Sequence, residues 1–193
     1  MTTDVAAVPA TSPSVNAFTL RRLRGAAVVR IVFGVIWAID AMFKFLPGFV
    51  HGQTLDKELG AGADVHTPII HQWIQLWSNA ANLDPPAFAI GTGVIEVIIA
   101  VCLLIGAFSN LTFIGSAIWS FGIWSAAEGF HLPWSKSGIT DLGPSVGYVI
   151  ASLVLFFAAA GATWSVDGKL RPVMARFGLG WLCSPTPTDL LGR

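Results

Sequence analysis

The stretch GVIWAIDAMFKF, residues 34 to 45, decides the fold because it places two charges inside a hydrophobic run. Asp40 and Lys44 interrupt an apolar segment that extends back to Ala26. Residues four apart share one face of a helix, so the two side chains can pair and offset part of their desolvation cost. A charge at the centre of a bilayer costs about 2.5 to 3.5 kcal/mol on insertion scales. This polar face is therefore expected to point into a helix bundle or a hydrated cavity.

The composition is typical of an integral membrane protein. Of the 193 residues, 54% are hydrophobic and only 11% are charged, and the mean hydropathy is +0.68. An ordinary soluble domain carries about 25% charged residues. The formal net charge is zero, so no basic field indicates nucleic acid as a partner. Cys102 and Cys183 lack CxxC spacing and indicate neither a disulfide framework nor a thiol redox pair.

Four segments are long enough to cross a hydrocarbon core, which needs about 20 apolar residues in a helix. They are Ala26 to Leu46, Ala87 to Phe108, Leu111 to Ala127, and Val146 to Trp164. Asp84 followed by two prolines predicts the N-cap of the second span, and a turn at Ser109 and Asn110 predicts an antiparallel hairpin of spans two and three. We therefore predict an all-α fold, an integral membrane four-helix bundle.

The bundle is predicted to comprise residues 22–166, a four-span membrane domain. Residues 1–21 are predicted to be a disordered cytoplasmic tail, and residues 167–193 a second cytoplasmic tail. The final SPTPTDLLGR of that second tail has two prolines and few anchoring side chains, so we expect it to be disordered.

Basic residues predict the orientation, because cytoplasmic loops retain positive charge. Arginine and lysine flank the start of span one and the end of span four, at Arg21, Arg22, Arg24, Lys169, Arg171 and Arg176. The loops on the opposite side contain only Lys57 and Lys136. We therefore expect a multi-pass protein of the cytoplasmic (inner) membrane with both termini cytoplasmic. The first apolar run is interpreted as a retained anchor.

Residues 66–84 predict an extracytoplasmic amphipathic helix in the first outer loop. Apolar side chains recur there at helical spacing, at Ile69, Ile70, Trp73, Leu76, Trp77 and Ala80. Such a helix can lie at the membrane surface with its indoles at headgroup level. The same stripe also fits a helix that packs on the outer end of the bundle, and the sequence does not separate the two.

Glu96 is the only Asp, Glu, Lys, Arg or His of the second span. Asp40 and Glu96 lie about 9 and 13 Å from the predicted outer ends of their spans, so both fall in the outer half of the membrane. Further ionisable residues follow on the same side, at Glu128, His131, Lys136 and Asp141. In a membrane protein such convergence points to a site or a pathway, with Glu96 as the first candidate proton donor or acceptor.

A structural interpretation competes with the functional one. A buried ion pair can fix helix register without any chemical task. Lys44 is near enough to the outer surface to reach water unaided, and Arg30, near the inner end of span one, can extend towards the headgroups.

The four histidines predict an alternative, a metal site on the outer face. They are His51, His66, His71 and His131, and the carboxylates of Asp56, Glu58 and Asp64 lie near them in the sequence. Imidazole and carboxylate groups are ligands of zinc and copper. His66 and His71 are five apart, a spacing that does not align them on one helix face.

Three segments carry a resemblance to a known family. RIVFGVIWAIDAMFKF (30–45), GVIEVIIAVCLLIGAFSNLTFIG (93–115) and TDLGPSVGYVIASLVLF (140–156) resemble the DoxX/DoxD family of four-span membrane proteins. That family includes the small membrane subunit of thiosulfate:quinone oxidoreductase, and the resemblance covers roughly residues 22 to 166. It implies a quinone-linked redox role, with Arg30, Asp40, Lys44, Glu96 and Asp141 at polar positions typical of the family.

The leading hypothesis is a membrane subunit of a respiratory or thiol/sulfur redox system that interacts with a quinone cofactor. Its candidate catalytic residues are Asp40, Lys44, Glu96 and Asp141, and its candidate cofactor-binding residues are Trp37, Arg30 and Glu128. No flavin, haem or iron-sulfur motif is visible, so electrons would arrive through a protein partner that carries the redox centre. Membrane lipid is the other expected partner.

Two alternatives remain open. One is a non-enzymatic membrane protein, either a small transporter or an anchoring and assembly subunit. The other is the outer-face metal-binding protein. Whether the chain is an enzyme is not decided by its sequence.

Overall fold

The structure is a computed structural model that describes residues 13–51, 67–132 and 141–191, with side chains described from residue 17 onward. Eight α-helices lie in these ranges: α1 Pro13–Lys44, α2 Pro47–Val50, α3 Pro68–Leu83, α4 Pro85–Ile105, α5 Ser109–Ala126, α6 Pro144–Phe157, α7 Asp167–Ala175 and α8 Pro187–Leu190. Short 3₁₀ turns follow at Gly129–His131 and Gly180–Leu182. The described residues contain no strand, so the all-α prediction is confirmed.

α1 packs against α4 in antiparallel orientation. A Cβ atom on Gly34 would lie 3.1 Å from side-chain atoms of Leu103 and Leu104, and one on Gly93 would lie 3.1 Å from Cβ of Lys44. The chain numbers therefore rise along α1 as they fall along α4. Glycine at both positions allows the helices to approach closely, as small residues do at helix interfaces.

α5 and α6 form the second antiparallel pair. The hydroxyls of Ser116 and Ser152 lie 2.9 Å apart between the two helices. Nearer the other end, the indole Nε1 of Trp124 donates to the carbonyl oxygen of Leu142 at 2.7 Å. Buried Phe33 and Trp37 of α1, Leu103 of α4, Phe113 of α5 and Leu155 of α6 belong to one apolar core.

The turn between α4 and α5 lies slightly earlier than predicted. Asp84 caps α4 as expected, since its Oδ1 accepts from the backbone N–H of Ala87 at 3.1 Å. α4 ends at Ile105 and is followed by Gly106 as its C-cap, with a φ of +66°, a conformation that favours glycine at a helix C-terminus. α5 begins at Ser109, so this residue belongs to the helix and not to the turn.

The fourth predicted span is wrong in its C-terminal part. It was expected to continue to Trp164, but α6 ends at Phe157. Ala159 and Trp164 have φ values of 49° and 51°, outside the right-handed helical region. At 1.5 Å per residue, α6 is about 21 Å long. Within the described ranges, two helices are long and apolar enough to cross a membrane by length and composition, α1 from Ala17 and α4.

The described parts of both predicted tails are ordered, whereas residues 1–12 and 192–193 lie outside the described residues. α1 begins at Pro13, so residues 13–21 are helical. At the C-terminus, α8 carries a capping box in which Thr186 and Asp189 satisfy each other's backbone N–H groups, and Asp189 also pairs with Arg171. Cys183 and Ser184 are buried. The expectation that the C-terminal segment is disordered is therefore wrong for the described residues, because it has local caps and a buried anchor.

α3 packs across α4 and α5 at the end of the molecule where α1 terminates. Its Ile74 and Ala81 are buried, and the indole Nε1 of Trp73 donates to Ser125 Oγ of α5 at 3.0 Å. These contacts favour the interpretation of a helix that packs on the end of the bundle. Its other face keeps Ile69 and Leu83 exposed.

Candidate functional site

A cavity of about 700 Å³ lies between the end of α1, α4, α5 and the start of α6. We call it the carboxylate cavity, because Asp40, Glu96 and Glu128 all line it. Of the residues singled out in the sequence, it also contains Trp37, Lys44 and His131. Arg30, Asp141, His51 and His71 are not among its lining residues.

Asp40 is held by a residue that the sequence reasoning missed. The phenol of Tyr148 on α6 donates a hydrogen bond to Asp40 Oδ2 of α1. The Tyr148 ring also packs edge-on against Trp37, with ring centroids 5.3 Å apart. Tyr148 is the single tyrosine of the chain, and a lone phenol in an otherwise apolar predicted span is the signal that would have found it. The bond joins the first and the last helix that line the cavity.

The wall between α4 and α5 combines a carboxylate with polar hydrogen-bonding atoms. Glu96 faces the cavity and only 1% of its surface is exposed. Ser120 of α5 lines the same cavity and is equally buried. Among the described residues, Ser120 Oγ and the indole Nε1 of Trp37 have no hydrogen-bond partner. Buried polar atoms of this kind normally have partners, so both are available to a ligand.

Lys44 closes the end of α1 beside an aromatic ring. Its Nζ lies 4.3 Å from the centroid of the Phe49 ring, within the range of a cation–π interaction. Phe49 is buried in the short helix α2 and also lines the carboxylate cavity. The ammonium group of Lys44 and the ring of Phe49 therefore lie next to each other in the lining of the cavity.

Glu128 binds the start of α6. Its Oε1 accepts from the backbone N–H of Ser145 at 3.3 Å and from the hydroxyl of the same residue. The other oxygen, Oε2, lies against Gly143, where any Cβ atom would collide with it. Glu128 thus contacts the chain immediately before and after the first residue of α6.

Asp141 acts on the cavity only through a neighbour. Its Oδ1 accepts from the backbone N–H of Gly143 at 2.8 Å and lies 3.4 Å from Nδ1 of His131. The Gly143 bond, followed by the contact with His131, holds the pKa of Asp141 below its usual range. Asp141 itself is exposed. It therefore orients a residue of the cavity without lining it.

Arg30 lies in a different part of the structure. It is fully buried and donates to the carbonyl oxygens of Ala160 at 3.0 Å, Thr163 at 3.4 Å and Trp164 at 2.6 Å. The expectation that it extends to headgroups is therefore wrong, because the chain after α6 folds over it. Arg30 also does not line the carboxylate cavity, so it is not placed at the candidate site as the predicted cofactor-binding role requires.

A second residue missed in the sequence stands beside Arg30. Asp167 is buried, and its Oδ2 accepts from the backbone N–H groups of Ser109 at 3.0 Å and Ser184 at 2.8 Å. It thereby ties the start of α5 to the C-terminal segment. We call Arg30, Asp167, these partners and the C-terminal segment that contains α8 and Asp189 the arginine end of the molecule.

The histidines are dispersed. His71 contacts Gln75 at 2.8 Å, His131 contacts Asp141, and His51 is exposed after α2. His66, together with Asp56, Glu58 and Asp64, lies outside the described residues. Within the part of the chain that the structure describes, no three or more His, Cys, Asp or Glu side chains are grouped to hold a metal ion.

Comparison with protein-family models, with curated proteins and with solved structures yields no match to this chain. The candidate site is therefore defined by the geometry of the carboxylate cavity alone.

Proposed function

We propose that the chain is a multi-pass protein of the cytoplasmic membrane in which α1, α4, α5 and α6 form a four-helix bundle. The support is a largely apolar helix surface around a core that contains polar as well as apolar side chains. Large apolar side chains are exposed along all four helices, at Val28, Val29, Val32, Val35, Ile36, Ile39 and Met42 of α1, Ile90, Val94, Ile95, Ile98 and Val101 of α4, Leu111, Ile118 and Phe121 of α5, and Ile150, Leu153, Val154 and Phe157 of α6. Several polar side chains are buried inside, at Arg30, Glu96, Ser116, Ser120 and Ser152. Lipid is the solvent that suits such a surface.

The short α6 is compatible with a fourth crossing. Non-helical backbone inside a membrane must have its polar groups satisfied by protein. Arg30 supplies donors to three carbonyl groups of the segment that follows α6. The turn at 158–166 can therefore continue the fourth membrane crossing beyond α6, because those three carbonyl groups are hydrogen-bonded to Arg30 and are not exposed to lipid.

We propose further that the carboxylate cavity binds the headgroup of a quinone or quinol. The observation that carries this proposal is the bond from Tyr148 to Asp40 in a cavity that also contains buried Glu96. Quinone recognition needs donors for two carbonyl oxygens, a proton acceptor, and flat apolar walls. The DoxX/DoxD resemblance of the sequence leads to the same ligand.

The residues present fit such a headgroup. A volume of about 700 Å³ lies within the usual range for small-molecule sites, about 300 to 1,000 Å³. Nε1 of Trp37 and Oγ of Ser120 are buried donors without a partner among the described residues. Phe49, Trp37 and the Tyr148 ring supply aromatic walls. Three carboxylates against one lysine favour a neutral ligand over an anion.

A bound quinone would supply electron transfer coupled to proton uptake or release at its two carbonyl oxygens. The role of the protein is to hold these protons and to move them. Tyr148 carries a proton on the phenol oxygen and shares it with the Asp40 carboxylate, while Glu96 of α4 offers a second carboxyl group in the same cavity. We propose that electrons reach this site from a protein partner with its own redox centre.

Quinone binding can be tested directly in nanodiscs. Isothermal titration with a short-chain quinol analogue, with empty nanodiscs as the blank for partition into lipid, should give saturable binding to the wild-type protein. Glu96→Gln and Tyr148→Phe should each weaken it by about tenfold, equivalent to 1.4 kcal/mol. Asp189→Asn is the matched control, because it removes a carboxylate at the arginine end.

Two outcomes would contradict quinone binding. One is a wild-type signal that equals the lipid blank. The other is equal affinity in Glu96→Gln, Tyr148→Phe and Asp189→Asn. Either result would leave the transporter or assembly role as the better account of the carboxylate cavity.

A further inference from the structure

α6 begins without a side chain of its own to cap it. Helix N-termini expose backbone N–H groups, which are usually satisfied by a Ser, Thr, Asp or Asn side chain at the N-cap. Here the N-cap is Gly143, and the acceptor comes from another element, since Glu128 Oε1 binds both the N–H and the hydroxyl of Ser145. A carboxylate at this position also interacts favourably with the helix dipole.

Gly143 is matched to that carboxylate in two ways. Its φ is +79°, in the region that only glycine adopts readily. A Cβ atom would also collide with Glu128 Oε2. The glycine therefore provides the space that lets Glu128 reach Ser145.

Tyr148, whose phenol belongs to the candidate site, lies close to the capped N-terminus of α6. Tyr148 is three residues after Ser145, so the two are neighbours on the surface of α6. Its bond to Asp40 crosses from α6 to α1. Any shift or fraying of the first turn of α6 would displace the phenol from Asp40.

We propose that Glu128 is a positioning residue: by capping α6 at Ser145 across Gly143, it holds the phenol of Tyr148 against Asp40. Its importance for ligand binding rests on the proposed function, whereas its effect on Tyr148 does not. The role differs from the cofactor contact that the sequence predicts for this glutamate, because its Oε1 is already engaged by α6.

The single tyrosine gives a selective probe. The full-length protein labelled with 3-fluorotyrosine should give one ¹⁹F resonance, that of Tyr148. Asp40→Asn defines the displacement caused by loss of the carboxylate acceptor. Glu128→Ala and Gly143→Ala should each move the resonance in the same direction by a comparable amount. Glu128→Gln should keep it near the wild-type position, because the amide oxygen still accepts from Ser145.

Asp189→Ala is the matched control. Asp189 also caps a helix, α8, but at the arginine end, so its loss should leave the Tyr148 resonance unchanged. The proposal is overturned if Glu128→Ala keeps the wild-type resonance while Asp40→Asn moves it, or if Asp40→Asn has no effect. Equal displacement by Glu128→Gln and Glu128→Ala would also overturn it, since charge and not capping would then matter.

A variant that fails to fold does not end the test. If far-UV circular dichroism shows that Glu128→Ala does not fold, the pair Glu128→Gln and Gly143→Ala decides the test. An unmoved resonance in the first and a moved one in the second support positioning, and any other combination contradicts it.

The ¹⁹F measurement uses no quinone, so the two proposals fail separately. If the wild type does not bind the quinol analogue but Tyr148 responds to Glu128→Ala, the proposed function fails and the positioning role stands. If binding occurs and positioning is correct, Glu128→Ala should weaken it by about tenfold, as expected for Tyr148→Phe, and Glu128→Gln should restore it.

Discussion

Arg30 of α1 donates a hydrogen bond of 2.6 Å to the carbonyl oxygen of Trp164, which lies beyond the end of α6. The same guanidinium reaches the carbonyl of Ala160 at 3.0 Å. Carbonyl groups after a helix C-terminus need donors, and a buried arginine supplies several in a fixed geometry. The arginine therefore stabilises a turn that the local sequence does not favour.

Arg30→Met should destabilise the fold strongly. The variant retains much of the apolar stem but leaves the carbonyls of Ala160 and Trp164 without their donor, so the free energy of unfolding should fall by about 3 kcal/mol. Denaturation in detergent micelles measures the change. Arg24→Met, at an exposed position of the same helix, should stay within about 0.5 kcal/mol of the wild type. Equal effects of the two would contradict the assigned role.

The contact of α1 with α4 predicts an asymmetry between two glycines. Gly34→Val places methyl groups against Leu103 and Leu104, so it should lower the free energy of unfolding by about 1 to 3 kcal/mol. Gly115→Val changes helix propensity by the same amount, but a Cβ atom at this position has no neighbouring atom within 4 Å. Thermal unfolding of both variants isolates the packing effect as their difference. A difference near zero would show that the helices do not approach closely at Gly34.

Acid should weaken the tie between Asp141 and its neighbours. The N–H of Gly143 and the His131 ring lower the pKa of Asp141, so its contribution to stability is complete above the unfolded-state pKa of about 3.9. That contribution is lost as the pH falls through the lower pKa of the folded state. Asp141→Asn should therefore reduce the Tm at neutral pH and match the wild type in strong acid. A Tm difference that is independent of pH would contradict this.

Cys183 should react slowly with alkylating reagents. Burial, reinforced by the charge of Asp167, raises the pKa of this thiol to about 11. At pH 8 the thiolate, which is the reactive form, is then about 100-fold scarcer than for a thiol with a pKa near 9. In a Cys102→Ala background, mass spectrometry should detect slow labelling that rises about tenfold per pH unit. Labelling as fast as in the denatured protein would contradict the burial.

The C-terminal end of the first long apolar helix was predicted closely from the sequence alone. The apolar run before Lys44 predicted a helix ending near Leu46, and α1 ends at Lys44. The position of Asp84 before two prolines predicted the start of α4, and the capping bond to Ala87 confirms it. These features depend on neighbours within a few residues, so local sequence is enough to find them.

The end of α6 could not be found in this way. Residues 153–164 read as a continuous apolar helix, and the helix stops because Arg30, more than a hundred residues earlier, binds the carbonyls of the following turn. Tyr148 was missed for a related reason. Its partner Asp40 lies on another helix, and no spacing rule connects them.

The sequence by itself determined that the chain is helical, where α1 ends, where α4 lies, and that an acidic and a basic residue interrupt the first apolar run. These properties follow from hydrophobicity, helix caps and charge, which act over one or two turns. Only the tertiary structure decided which polar groups meet, bringing Asp40 to Tyr148, Glu128 to Ser145, and Arg30 to the turn after α6. The physical reason is that a buried polar group pairs with whichever partner the packed helices bring near it. The separation of two residues along the chain does not indicate which pairs will meet.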